Sequence, residues 1–330
     1  MKIARFDAFG KPDEVIRCVE VDDPGAPGPD EALIDVLAFP INPADLLTIE
    51  GRYAVRPPLP ARLGAECVGR VTALGRAVRE LAEGDLVIPL DRDNWVQRKR
   101  VKATQLVKVP ADVDPLQLAM LKVNPPTAHL MMTRFVALEP GEWLIQDAAN
   151  SGVGHCLVRL AKMSGIRTVN VVRREGLADE LTALGGDVVV VDGPDLGERV
   201  RTATSGARIR LAIDAVGGTQ VVRLGDCLAE KGTIVNYGLL SGDNPQLTGI
   251  QTVFKQLTLT GFWLAPTLQQ MPPAELRSMY AMLARHLGDG SLHVPVEATY
   301  PIEAITEAVA QANAYRRAGK VLVTPNGPLH

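Results

Sequence analysis

The stretch Gly141 to Arg174, GEWLIQDAANSGVGHCLVRLAKMSGIRTVNVVRR, constrains the fold most, because it reads as strand, glycine-bearing turn, helix and strand. Trp143 to Ala148 is a short, largely apolar run suited to a buried parallel strand. Asn150-Ser151-Gly152-Val153-Gly154 supplies a tight turn with little side-chain bulk. Val153, Leu157, Leu160 and Ser164 then recur at helical spacing, Gly165 is placed to end the helix, and Thr168 to Val172 is a second strand. The start of such a helix offers backbone N–H groups and a partial positive charge, both suited to a pyrophosphate.

The turn departs from the dinucleotide fingerprint G-x-G-x-x-G. With Gly154 as the third glycine, the first two positions hold Ala149 and Ser151, small residues that still let a backbone approach closely. An ordinary βαβ turn is the competing reading of these residues alone. The register beyond the turn decides for a nucleotide: the residue that selects the adenosine end lies about 20 positions on. There the chain has Arg173 and Arg174, whose guanidiniums suit the 2′-phosphate of NADPH, unless they simply form a solvated strand end.

A chain of 330 residues is long for one core and favours two domains. A net charge of −3 with no long run of one sign argues against nucleic acid as a partner. The four cysteines lie far apart without a C-x-x-C pair and read as reduced core thiols. No apolar run approaches the roughly 20 residues of a membrane helix, and the start MKIARFDAFG meets acid too early for a signal peptide, so the expected location is cytoplasmic.

From Met1 to about Leu118 the chain is β-rich, with strands expected at 2–6, 31–38, 68–73, 85–88 and 105–109 and a short helix at 112–121. After Asn124-Pro125-Pro126 strand and helix alternate. A helix is expected at 127–136, and six parallel strands are read in all, the last at 257–263. A helix at 274–287 is expected to close this part, and 294–323 returns to strand, helix and strand. The expected fold class is α/β, with a Rossmann doubly wound parallel sheet at 119–289 and a discontinuous β-rich domain of 1–118 with 290–330.

That order, with the returning tail GKVLV, resembles the medium-chain dehydrogenase/reductases over essentially the whole chain, and implies a GroES-like catalytic domain beside the Rossmann domain. Ile41-Asn42-Pro43-Ala44-Asp45 and Leu63-Gly64-Ala65-Glu66 match two signatures of that superfamily. Zinc-dependent members carry Cys at the position of Asn42 and His at that of Ala65, and no Cys or His lies between Ala119 and Ala128, so no metal is expected. Within the zinc-free branch, INPADLLTIEGRYAVRPPLP, NPPTA, DAANSGVG, NVVRR and GFWL are similar to the 2-enoyl thioester reductases of fatty-acid synthesis.

The resemblance implies NADPH-dependent reduction of trans-2-enoyl thioesters of CoA or acyl carrier protein, with Tyr53 as the proton donor. The residues themselves place Tyr53 on a constrained loop between Gly51-Arg52 and Pro57-Pro58, where an exposed tyrosine without a role is the alternative. For the cofactor, the resemblance implies Asn124 and Thr127 at the nicotinamide end, and Asn150, Ser151, Gly152 and Val153 at the pyrophosphate. Arg173, Arg174 and Glu175 fall at the adenosine phosphate. Tyr237, Gly238, Leu239 and Leu240 leave a strand end, where open α/β sheets bind ligands.

Phe262, Trp263 and Leu264 are expected at the nicotinamide and acyl cleft, or as core or interface aromatics, and Lys320 either reaches the cofactor or starts a solvated strand. Arg52, Arg56 and Arg62 either meet carrier phosphates or form a scattered exposed set. His129 and His155 read as packing or surface residues. A homodimer is expected through the strand at 257–264. A quinone or enone reductase is the rival activity, and a non-enzymatic NADPH-binding protein the rival from another class.

Overall fold

The computed structural model describes residues 1–314 and 319–329. By packing, the chain divides into two compact units, Met1–Val123 with Pro272–His330, and Asn124–Met271.

The first unit opens with β1 (Lys2–Phe6), α1 (Pro12–Val15), β2 (Ile16–Glu20), β3 (Glu31–Pro40) and α2 (Pro43–Ile49). It continues through β4 (Ala61–Arg62), β5 (Val68–Leu74), β6 (Leu86–Pro89), β7 (Arg98–Lys102), β8 (Leu106–Val109) and α3 (Pro115–Ala119). The second unit is α4 (Asn124–Arg134), β9 (Trp143–Gln146), α5 (Gly152–Met163), β10 (Arg167–Val172), α6 (Ala178–Leu184) and β11 (Val188–Val191). It runs on through α7 (Leu196–Ala203), β12 (Ile209–Asp214), α8 (Thr219–Cys227), β13 (Thr233–Asn236), β14 (Thr258–Gly261) and α9 (Leu264–Gln270). The chain then returns to the first unit as α10 (Pro273–Gly288), β15 (Val296–Tyr300), α11 (Ile305–Asn313) and β16 (Lys320–Val323).

In the second unit the strands lie in the order β11-β10-β9-β12-β13-β14, and every pair is parallel. This is the doubly wound order, with the chain reversing direction across the sheet beside β9. All four residues of β9 are buried, as a central parallel strand covered on both faces requires. Below the turn, the Gln146 amide donates to Asn170 Oδ1 at 2.8 Å and to the carbonyl of Gly154 at 3.1 Å, joining β9, β10 and α5. β14 occupies one edge of the sheet.

In the first unit, β15-β16-β3-β5-β6-β8 form one sheet with β7 also paired to β3, and β2-β1-β4 form a second. Phe39 stacks on Trp95 at 5.5 Å in a core shared with Phe6, Ile3, Ile302 and Val309. Here the division of the chain differs from the expected limits of 119–289. The helix α10 packs on β8 and α3 of the first unit, where Tyr280 donates to the carbonyl of Lys122 at 3.1 Å. Its apolar face is equally compatible with either unit when read locally. Other differences are local: the helix expected at 127–136 begins at Asn124 and takes in both prolines, the one expected at 112–121 is Pro115–Ala119, and α1, β2, α2 and β7 form where no element is expected. A proline in the first helical turn sacrifices no intrahelical donor.

Candidate active site and cofactor cradle

The cradle is built from the ends of strands. After β9 the chain turns through Ala148, at φ +44°, and Ser151 caps α5 by accepting from the Gly154 N–H at 3.1 Å. Gly154 is where close approach is structural: a Cβ there would lie 2.4 Å from the carbonyl oxygen of Ala149. Its role is therefore that of the third fingerprint glycine, tight contact between helix and strand. Gly165, at φ +69°, ends the helix as its position implied.

The other expected contacts of this unit fall on strand ends or on the first turn of α4. Asn150 is exposed, while Ser151, Gly152 and Val153 are half-buried in the first turn of α5. Arg173, Arg174 and Glu175 are exposed immediately beyond β10. Tyr237 and Gly238 follow β13 half-buried, and Leu239 and Leu240 are exposed. Ser151 hydrogen-bonds the Tyr237 hydroxyl, and burial, the larger influence, pushes that phenol above its ordinary range. Phe262, Trp263 and Leu264 form the link from β14 to α9, with Phe262 edge-on to Phe135 at 6.2 Å and Trp263 exposed. Asn124 and Thr127 are buried, and among the described residues the Asn124 Nδ2 donor has no hydrogen-bond partner.

Sequence reading missed a carboxyl pair beneath the cradle. Asp147 follows β9 and Asp214 ends β12, both buried. Asp147 Oδ1 accepts from the Ala215 N–H at 2.7 Å, while Asp214 accepts from Val216 and Gly217 N–H groups and from the Asn236 amide. Burial, then the neighbouring Asp214, hold the Asp147 carboxyl well above the usual range. Of the two histidines, His129 is half-buried and His155 buried. His155 is buried with Nε2 3.3 Å from Glu180, and burial lowers the pKa of both His155 and His129.

In the first unit the residues at the zinc-ligand positions do something else. The Asn42 amide donates to Glu66 Oε1 at 2.8 Å and accepts from the Lys320 ammonium. Glu66 also accepts from the Val123 N–H at 2.8 Å. Complete burial pushes its carboxyl up to about 7, against the opposing pull of Asn42 and Lys320. Lys122, brought down to about 8 by burial, donates to the carbonyls of Ala65 at 2.6 Å and Asp91 at 2.5 Å. An amide already shared between a carboxyl and an ammonium is a poor metal ligand, so this donor set does not fit a catalytic zinc. Among the described residues no group of three or more His, Cys, Asp or Glu side chains gathers as a metal site needs. Lys320 is buried in this network, which answers the alternative of a solvated strand start.

Tyr53 sits just past α2. Gly51, at φ +71°, turns the chain so that the N–H groups of Arg52 and Tyr53 both reach the Leu47 carbonyl, at 2.9 and 3.1 Å. Tyr53 is half-buried, with the Arg92 guanidinium 5.8 Å from its ring centroid. Of the flanking arginines, Arg52 pairs with Glu50 and Arg56 lies over the Phe9 ring. Arg62 is exposed.

Comparison with known proteins agrees with this architecture. Residues 28–110 match the alcohol dehydrogenase GroES-like domain and residues 152–284 the zinc-binding dehydrogenase domain. The mitochondrial enoyl-[acyl-carrier-protein] reductase of Dictyostelium discoideum is 36% identical over 263 residues, covering 76% of this chain and 74% of that protein. The rat protein of the same name is 33% identical over 311 residues, covering 92% and 83%. Among solved structures, the Etr1p/NADP/crotonyl-CoA complex superposes with a TM-score of 0.87 at 26% identity, covering 98% of this chain and 99% of that one. Escherichia coli quinone oxidoreductase complexed with NADPH gives 0.88 at 25% identity, covering 98% and 100%. With a GroES-like domain, a doubly wound sheet and an amide where zinc-dependent members place a ligand, the chain belongs to the zinc-free medium-chain dehydrogenase/reductases, in the 2-enoyl thioester reductase family.

Proposed function

We propose that this oxidoreductase reduces the C=C bond of trans-2-enoyl thioesters, carried on CoA or acyl carrier protein, with NADPH. The observation that carries the reading is 33% identity across 92% of the chain to a protein named for that reaction. The cradle suits the cofactor on its own terms: Gly154 admits no side chain, the buried Asn124 amide has a donor to spare, and two arginines stand past β10. Asn150, Ser151, Gly152 and Val153 are assigned to the pyrophosphate, and Arg173, Arg174 and Glu175 to the adenosine phosphate. Asn124, Thr127, Tyr237, Gly238, Leu239, Leu240, Phe262, Trp263 and Leu264 are assigned to the remainder of the cofactor.

Bound NADPH supplies a hydride to the electrophilic β-carbon of the enoyl thioester. Tyr53 gives its hydroxyl proton to the α-carbon, directly or through water, leaving a phenolate that water reprotonates. Lys320 is assigned to the cofactor as well, and its ammonium also donates to Asn42 in the buried network.

Free cysteines suit a reducing compartment, and the cytoplasm is the proposed one, although several relatives are named mitochondrial. No helix among the described residues is long and apolar enough to cross a membrane. A homodimer is proposed through the edge strand β14, and sedimentation at working concentration that finds only monomer refutes it.

The test is NADPH oxidation with crotonyl-CoA, a longer enoyl-CoA and a small quinone in parallel. Turnover of the enoyl-CoAs supports the proposal. Turnover of quinone alone moves the protein to the second reading, which the likeness to quinone oxidoreductase favours. The Tyr53→Phe variant separates the role of the tyrosine from the reaction, since it is expected to lose most turnover with NADPH affinity retained.

A further inference from the structure

The loop 91–94 is held more firmly than a surface connection requires. Lys99 Nζ donates to Asp91 Oδ1, the Arg92 carbonyl and Asn94 Oδ1 at 2.8, 2.8 and 2.9 Å. The buried Asn94 amide donates to the carbonyls of Asp91 and Gly64, each at 3.1 Å, and Lys122 donates to the same Asp91 carbonyl from below. Asp93 adopts φ +64°, a left-handed conformation uncommon for a residue other than glycine. Two lysines and a buried asparagine thus hold Asp91, the Arg92 backbone and Asn94. The side chains of Arg92 and Asp93 are exposed and take no part in these bonds, and the Arg92 guanidinium has no carboxylate within ion-pair distance among the described residues. Its guanidinium lies 5.8 Å from the centroid of the Tyr53 ring, within reach of a cation–π contact.

We propose that Arg92 is a positioning residue for Tyr53, holding the phenol ring from a pinned loop and stabilising the phenolate left when the tyrosine has given up its proton. This rests on the reading of Tyr53 as proton donor. In the step, the Tyr53 O–H bond breaks, its proton forms the new C–H bond at the α-carbon, and the electron pair stays on the phenol oxygen. With the hydride that bound NADPH would supply at the β-carbon, the substrate would gain one hydride and one proton in total. A cation carried beside the ring by a pinned loop favours the charged product of that transfer over the neutral starting phenol, and this differential is what speeds the step. A guanidinium suits the task better than an ammonium, because it lies flat against a ring and stays charged at every relevant pH.

The test compares wild type, Arg92→Gln, Arg92→Lys, Tyr53→Phe and the double variant Tyr53→Phe with Arg92→Gln, all with crotonyl-CoA and NADPH. Arg92→Gln is expected to lower kcat about 10-fold, leave KM for NADPH unchanged, and enlarge the solvent deuterium isotope effect because proton donation becomes more rate-limiting. Arg92→Lys should recover part of the loss. In the Tyr53→Phe background the arginine change should cost nothing further. Wild-type kcat and isotope effect in Arg92→Gln overturn the inference while leaving Tyr53 in place. A rise confined to KM for crotonyl-CoA, or a loss that persists in full on top of Tyr53→Phe, makes Arg92 a substrate contact and also overturns it. Full turnover by Tyr53→Phe removes the underlying reading, and the inference with it.

Discussion

Asp147 and Asp214 stand on neighbouring parallel strands, one residue beyond the paired Gln146 and Ile213, and share one buried site. Burial and the Asp214 carboxylate raise the Asp147 carboxyl well above its ordinary range, so the folded protein favours its protonated form more than the unfolded chain does. A raised carboxyl favours folding fully below its unfolded pKa, and that contribution is lost as pH rises toward the folded value. The Asp147→Asn variant has no proton to lose and can still donate to Asp214. Its melting temperature should match wild type near pH 4 and exceed it increasingly toward pH 8. Calorimetry across that range that returns two parallel curves would show that the pair carries no such coupling.

Glu66 obeys the same sign with a different partner set. Its carboxyl sits at about 7 against an ordinary 4.5, so its contribution falls between those two pH values. Glu66→Gln removes that slope but can accept from only one of Asn42 and Val123 at the single amide oxygen. The expected result is a loss of about 1–3 kcal/mol at acid pH, measured by denaturant unfolding, with a flatter profile from pH 4.5 to 7 than wild type.

Removing both guanidiniums beyond β10, as Arg173→Ala with Arg174→Ala, should separate the two nicotinamide cofactors. Loss of charge-assisted contacts to a 2′-phosphate is expected to lower kcat/KM for NADPH about 10- to 100-fold. The value for NADH should change little, since NADH lacks that phosphate. Equal losses with both cofactors would place the arginines elsewhere than the adenosine end.

Gly154→Ala probes the cradle itself. A methyl group 2.4 Å from the Ala149 carbonyl oxygen forces α5 away from the turn, because the obstacle is backbone and cannot swing aside. The change should cost about 1–3 kcal/mol of stability and weaken NADPH binding, read together by thermal shift with and without cofactor. A fully stable variant that still binds NADPH normally would contradict the tight contact described here.

Much of the second unit was legible locally. The strand Trp143–Gln146 is a short, largely apolar run, Val169, Val171 and Val172 mark its neighbour Arg167–Val172, and the helix between them repeats its apolar residues at helical spacing. The parallel sheet follows from that alternation, since parallel neighbours require a crossover helix, while the strand order itself is set by the pairing in the fold. The place of Arg173 and Arg174 just past β10 was legible too, because its register is counted from a glycine along the chain.

The first unit was harder to read, and the reason is sequence distance. Asn42 meets Glu66 across 24 residues and Lys320 across 278, so neither the buried network nor the fate of Lys320 leaves a periodic trace in the chain. The helix α2 was hidden because its start, Asn42-Pro43-Ala44-Asp45, looks like a turn until Asp45 caps the Asn42 N–H at 3.0 Å. By itself, then, the sequence determined the α/β class, the parallel sheet, the cradle and the absence of the usual zinc ligands, all of which depend on residue types at short, countable spacings. Tertiary structure alone decided which unit claims α10, how Asp147 and Asp214 come to share a buried site, and that Arg92 stands over Tyr53. Those relationships depend on which distant side chains are shut away from water together, and burial is a property of the packed chain rather than of any segment of it.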